Sequence, residues 1–178
     1  MRQCGACITE PPPVDQALAA VAYDFPWAQL MVQFKFHEYT GWASTFATLM
    51  RSAPWVEPAI EAADWLIPMP LSSTRLRERG FNQALLIARA LEDRKVQAGM
   101  LLRVKESPPQ SSLSRQERLN EVRGAYALEP SKAGHLLNRR VVLIDDVMTT
   151  GASLHAAAHA LRRAGVAHIT ALVFARTE

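Results

Sequence analysis

Asp145 and Asp146 stand side by side after the apolar run Val141-Val142-Leu143-Ile144, and Thr149-Thr150-Gly151-Ala152-Ser153 follows within a few residues. A β-branched apolar run of that length reads as a buried strand. Carboxylates leaving it are costly to bury without partners, so they are expected to face a polar ligand or a cation-containing site. From Ala152 to Ala164, Leu154, Ala157, Ala158 and Leu161 recur at helical spacing, and Gly165 supplies a stop. Thr149 to Ser153 therefore lies at a helix N-terminus, where unpaired N–H groups and the positive end of the helix dipole converge. Hydroxyls and a glycine at such a place suit a dianionic phosphate. Carboxylates for hydroxyl groups and a loop for phosphate, one turn apart, together fit a sugar phosphate. Either half alone is also what a plain turn or an ordinary N-cap looks like; the whole string is much harder to explain that way.

The elements around this string are those of an α/β protein. Ile169 to Phe174 reads as a second buried strand, so 141–174 forms a βαβ unit and the sheet is at least partly parallel. Ligands in such sheets sit at the carboxyl ends of the strands, where the short loop expected over Asp145 to Gly151 would lie. Upstream, residues 1–15 are irregular, broken by Pro11-Pro12-Pro13. Residues 26–52 read as two short helices on either side of Gly41. Trp65-Leu66-Ile67 is a short strand running into Pro68-Met69-Pro70, and Asn82 is placed to cap a helix through Leu91. Residues 103–124 are polar and long for a plain connection, as functional lids often are.

Composition narrows the class further. The chain has 178 residues, 49% hydrophobic and 21% charged, which suits one globular domain with at most a small appendage. No apolar run can span a bilayer. The first residues lack the basic start and apolar core of a secretory signal, so a cytoplasmic location is expected. Net charge is +3, and the basic clusters at Arg75–Arg79 and Arg115–Arg123 carry interleaved acids; solvated faces explain them as well as ligand contacts do, and direct nucleic-acid binding is not indicated. A magnesium-dependent triphosphatase would also end a strand in acids, but it needs a Gly-x-x-x-x-Gly-Lys-Ser/Thr loop, and the chain contains no Gly-Lys pair. Cys4 and Cys7 are the only cysteines, two short of a closed zinc site, so no bound zinc is expected. His155 and His159 lie one helical turn apart with no third ligand evident, so surface or packing roles are expected.

The string Val141 to Ser153 resembles the phosphoribosyl pyrophosphate motif of type I phosphoribosyltransferases. Ile67-Pro68-Met69-Pro70-Leu71, Arg77-Glu78-Arg79-Gly80-Phe81-Asn82-Gln83, Gln110 with Ser114 to Asn120, Phe34-Lys35-Phe36 and the Cys4-Gly5-Ala6-Cys7 start resemble the ComF family. The resemblance covers nearly the whole chain. It implies a type I phosphoribosyltransferase fold over 16–178, a mostly parallel sheet flanked by helices, after a 1–15 remnant of a zinc-ribbon-like module. Family members usually begin with four cysteines, of which one Cys-x-x-Cys stands here.

By the same resemblance, Asp145 and Asp146 hold the ribose hydroxyls and are the catalytic candidates, while Met148, Thr149, Thr150, Gly151, Ala152 and Ser153 complete the ribose 5-phosphate site. Pro68, Met69, Pro70 and Leu71 would meet pyrophosphate, helped by Arg77, Arg79 and Lys35; a solvated lysine is an equal reading of Lys35. A lid over 107–123 would bring Gln110, Arg115 and Arg118 to the ligand. The implied chemistry displaces pyrophosphate from C1 of the ribose, with Mg2+ bound alongside phosphoribosyl pyrophosphate. The acceptor is not named by any residue. The alternative is a non-catalytic module that binds a nucleotide or sugar phosphate and serves DNA uptake or utilisation with a DNA-processing partner such as a helicase.

Overall fold

The run at 141–144 lies inside a parallel sheet in the computed structural model, which describes Thr9 and residues 11–36, 39–105 and 124–177. Strand β1 (Gln16–Ala22) is followed by helices α1 (Trp27–Phe36), α2 (Trp42–Ser52) and α3 (Val56–Ala62). Strand β2 (Trp65–Pro68) leads to α4 (Ser73–Arg79) and α5 (Gln83–Glu92). A short antiparallel pair, β3 (Leu101–Arg103) and β4 (Tyr126–Leu128), stands apart from the main sheet. The βαβ unit closes the chain as β5 (Arg140–Met148), α6 (Ala152–Arg163) and β6 (His168–Arg176). The main sheet runs β1-β6-β5-β2 with every pairing parallel.

Alternation along β5 explains why the run is apolar on every residue. Val141 and Leu143 join a core with Leu154, Ala157, Ala158 and Leu161 of α6, while Val142 and Ile144 join a second core with Phe34, Phe46, Met50 and Ile87. Successive strand side chains point to opposite faces, and here both faces are covered. The second core is aromatic: the Phe46 and Phe174 rings stack with centroids 4.1 Å apart, and Phe34 meets Phe46 edge-on at 5.3 Å.

Several expectations hold. The helices on either side of Gly41, the strand at 65–67 and the helix after Asn82 are all present, and the Asn82 side chain accepts from the Leu85 N–H at 3.1 Å. Gly165 has a φ of 81° just beyond α6, where that left-handed turn requires glycine. One boundary differs. The stretch expected as a loop from Asp145 belongs to the strand as far as Met148, because β6 extends to Arg176 and carries the ladder past the acidic pair. β1, α3, α4 and the β3–β4 pair were not read from the sequence. Residues 11–15 carry no regular structure, while Cys4 and Cys7 lie outside the described residues. Among the described residues no helix is long and apolar enough to cross a membrane.

Candidate functional site

A cavity of about 290 Å3 opens at the carboxyl ends of β5 and β2. Its floor is the acidic pair. Asp146 is buried at 8% exposure, and Lys35, reaching in from the end of α1, pairs with its Oδ1 at 3.0 Å. Lys35 is thus not a free cation; partly exposed, it pairs with one carboxylate of the acidic pair. Asp145 accepts from the Asp146 N–H at 2.9 Å through Oδ1. Burial first, and the Asp146 charge second, push the Asp145 carboxyl up from 3.8 to about 7, against the pull of Lys35 and Arg103.

The wall above is the loop Thr149 to Gly151 and the first turn of α6. Gly151 takes a φ of 76°, and a Cβ there would sit 3.3 Å from His155 Nε2. Any side chain would be strained in this left-handed conformation and would crowd the imidazole, so the tight turn at the helix start depends on glycine. The Thr150 hydroxyl accepts from the Ala152 N–H at 3.3 Å. Met148, Thr149, Thr150, Gly151, Ala152 and Ser153 all line the cavity.

The opposite wall follows β2. The Met69 N–H donates to Ile144 O at 2.8 Å, and the Asn82 amide donates to Met69 O at 3.0 Å, so Met69, Pro70 and Leu71 are held against the cavity from both ends. Pro68 is buried in the ladder opposite Ile144 and does not line the cavity. Arg79 lines it, its guanidinium 5.1 Å from the Phe36 ring centre. Burial lowers the Arg79 pKa from its ordinary value, and Asp146 is the main opposing influence, which couples it to the acidic pair. Arg77 is exposed and outside the cavity; Arg75 takes the place expected for it. Residues 75 and 79 are one helical turn apart and share a face of α4, whereas 77 points away.

Three further residues come from parts of the chain that carried no motif. Tyr126, 3% exposed, lines the cavity together with Ser153, and burial raises its phenol pKa. The Arg103 guanidinium lies 5.8 Å from the Tyr126 ring centre, and Tyr23 follows β1. Arg103 ends β3 and Tyr126 opens β4, and both line the cavity. Gln110, Arg115 and Arg118 of the expected lid lie outside the described residues. Among the described residues no cluster of three His, Cys, Asp or Glu side chains could hold a metal.

The raised Asp145 pKa makes a stability prediction. The folded protein keeps a proton that the unfolded chain releases near 3.8, so this contribution is complete below that pH and is lost as pH rises through about 7. His168 works in the other direction, because burial lowers its pKa. The difference between the wild type and Asp145→Asn therefore isolates the carboxyl. In urea titrations from pH 4 to 8, the variant should gain a few kcal/mol over the wild type by about pH 8. Parallel profiles would remove the proton from Asp145.

Comparison with known proteins agrees with this architecture. The phosphoribosyl transferase domain family matches residues 77–178. Competence protein F of Haemophilus influenzae is 32% identical over 183 residues, covering 98% of this chain and 79% of that protein. DNA utilization protein YhgH of Salmonella typhimurium is 29% identical over 181 residues, covering 98% of this chain and 78% of its own. Competence protein ComFC of Bacillus subtilis is 38% identical over 102 residues, 57% of this chain and 40% of that protein. The doubly covered parallel sheet, the acidic pair beside a helix start, and relatives of this likeness over almost the full chain together assign it: the chain belongs to the ComF family, with a phosphoribosyltransferase fold.

Proposed function

We propose that the protein binds phosphoribosyl pyrophosphate in this cavity and transfers its phosphoribosyl group to an acceptor, with release of pyrophosphate. The observation that carries the reading is the acidic pair at the end of β5 opening into the same cavity as the N-terminus of α6. The backbone N–H groups and hydroxyls of Thr149 to Ser153 would take the 5-phosphate, and Asp145 and Asp146 the 2- and 3-hydroxyls of the ribose. The loop Met69 to Leu71, with Arg75 and Arg79 beside it, would meet the pyrophosphate.

In the transfer, the bond from C1 to the pyrophosphate oxygen breaks, and its electron pair leaves with that oxygen. A bond from the acceptor nucleophile to C1 forms as the acceptor's proton passes to the departing pyrophosphate or to water. Positive charge develops on the ribose ring, as in other oxocarbenium-like displacements. Asp145 and Asp146 would stabilise that charge. Arginines beside the pyrophosphate would stabilise the negative charge on the leaving group. The residues also fit Mg2+. Two carboxylates are too few for a protein cage but match an ion that is shared with ligand phosphates and keeps several waters. Bound there through Asp145 or Asp146, Mg2+ would neutralise charge on the leaving pyrophosphate.

A second reading is favoured by the names of the relatives, competence protein and DNA utilization protein. In it the same cavity binds the sugar phosphate or a nucleotide without turnover, and the protein acts in DNA uptake or use beside a DNA-processing partner such as a helicase. Either role suits the cytoplasm, where phosphoribosyl pyrophosphate is made. Isotope-labelled phosphoribosyl pyrophosphate, incubated with Mg2+ and a panel of bases, separates the readings. Transfer of label with stoichiometric pyrophosphate release is expected. Saturable binding without turnover would favour the accessory role, and no binding would remove both.

A further inference from the structure

The ribose 5-phosphate site uses one helix start, but the cavity has two. α5 begins at Asn82 and Gln83 on the same cavity wall, and it packs on the face of the sheet opposite α6. The central strand with its acidic pair therefore lies between two helix N-termini, each with a partial positive charge. Gln83 is 1% exposed, lines the cavity, and its Nε2 has no hydrogen-bond partner among the described residues. Its orientation is not free to invert. Arg79 Nη1 donates to Gln83 Oε1 at 3.1 Å, and the inverted amide would set donor against donor. Buried amide donors are rarely left unpaired in folded proteins, so this one points to an acceptor that arrives with a ligand.

The surroundings decide what kind of acceptor. Gln83 touches Arg79, Arg75 lies one turn earlier on the same face, and Asn82 holds the Met69 carbonyl so that the loop after β2 stays in place. Guanidinium groups, a helix start and a neutral donor together suit phosphate oxygens. We infer that Gln83 is a specificity residue that donates to the pyrophosphate end of the ligand, so that the cavity prefers the diphosphorylated sugar to ribose 5-phosphate. The inference rests on the phosphoribosyl reading above and gives a role to Gln83, which the resemblance left without one. The ligand would then bridge the two helix starts, with the 5-phosphate at α6, pyrophosphate at α5, and the ribose hydroxyls over the acids between them.

The test compares wild type, Gln83→Glu and Gln83→Met by calorimetric titration with phosphoribosyl pyrophosphate, inorganic pyrophosphate and ribose 5-phosphate at fixed Mg2+. Gln83→Glu keeps an oxygen for Arg79 and an acid in the first turn, which the helix dipole tolerates, but replaces the donor with an anion. Gln83→Met keeps the volume and removes the amide, and either variant suffices if the other fails to fold. Expected is a loss of about tenfold or more, 1.4 kcal/mol, for both pyrophosphate-bearing ligands, with the ribose 5-phosphate affinity unchanged. Equal losses for all three ligands, or none for phosphoribosyl pyrophosphate, would overturn the role of Gln83. Wild-type protein that binds pyrophosphate in a Gln83-dependent way but ignores ribose 5-phosphate would support Gln83 while removing the phosphoribosyl reading. Binding of none of the three would remove both.

Discussion

At pH 8, above the value of about 7 to which the Asp145 carboxyl is raised, replacing Asp145 and Asp146 together with asparagine is expected to weaken phosphoribosyl pyrophosphate binding by about a hundredfold or more, since hydrogen bonds to charged groups contribute about 1.5–3 kcal/mol each. The change keeps shape and removes charge. Asparagine can still accept a ribose hydroxyl proton, but as a neutral acceptor, and it offers nothing to a shared cation. The fold should survive for reasons visible in the site. Asp145 loses a half-buried carboxyl whose pKa desolvation, and then the Asp146 charge, raise to about 7. Asp146→Asn leaves Lys35 without its partner, but the Lys35 side chain is 18% exposed and can reach water. Calorimetric titration with Mg2+ present measures the affinity, and thermal melting of the unliganded variant checks the fold. Affinity unchanged in a folded double variant would take the acids out of the ligand site and the proposed transfer with them.

The largest loss of stability should come from Phe174→Ala. Phe174 is fully buried on β6, stacked on Phe46 at 4.1 Å and met edge-on by Trp27 at 5.7 Å. The sheet backbone beneath it is held by neighbours on both sides, β1 and β5, so the space cannot close by local collapse. Truncation of such a ring costs about 3–5 kcal/mol, a large share of the 5–15 kcal/mol that holds an ordinary domain together. In urea the midpoint should fall while the slope stays as in the wild type. A loss below about 1 kcal/mol would mean that the aromatic stack does not carry the second core. The effect bears on function too. Val173 and Ala175 pair with Asp145 and Val147, so β6 is the rail on which the acidic pair is set.

The site was legible where it is contiguous. Asp145, Asp146 and the run from Met148 to Ser153 occupy one stretch of chain, and each property that matters there is local: an apolar strand, a glycine that tolerates a positive φ, hydroxyls at a helix start. Loop Met69 to Leu71 was legible for the same reason, as the exit of a short apolar run. Of the two arginines named from the sequence, Arg79 lines the cavity and Arg77 does not. Choosing Arg77 over Arg75 required knowing that 73–79 is a helix, and six polar residues around a single leucine give no periodicity to read. β1 was missed because Gln16-Ala17-Leu18-Ala19-Ala20-Val21-Ala22 is rich in alanine, a helix former; it is a strand because β6 offers it an edge. Tyr126 and Arg103 sit on three-residue strands, too short for any pattern.

The sequence by itself therefore determined the βαβ unit, the acidic pair and the hydroxyl-rich helix start, because those residues are neighbours along the chain and their character follows from type and spacing. Tertiary structure alone decided the rest. It chose which arginine of α4 faces the cavity, since a 100° step per residue turns one position in and the next but one out. It turned Lys35 into the partner of Asp146, at a separation of more than a hundred residues that no spacing rule spans. It gave the two neighbouring aspartates different environments, one pushed up by burial and one paired. And it buried Gln83 with one end of its amide on Arg79 and the other unmatched, because a missing hydrogen bond is a property of what surrounds a residue and is never written in the residue itself.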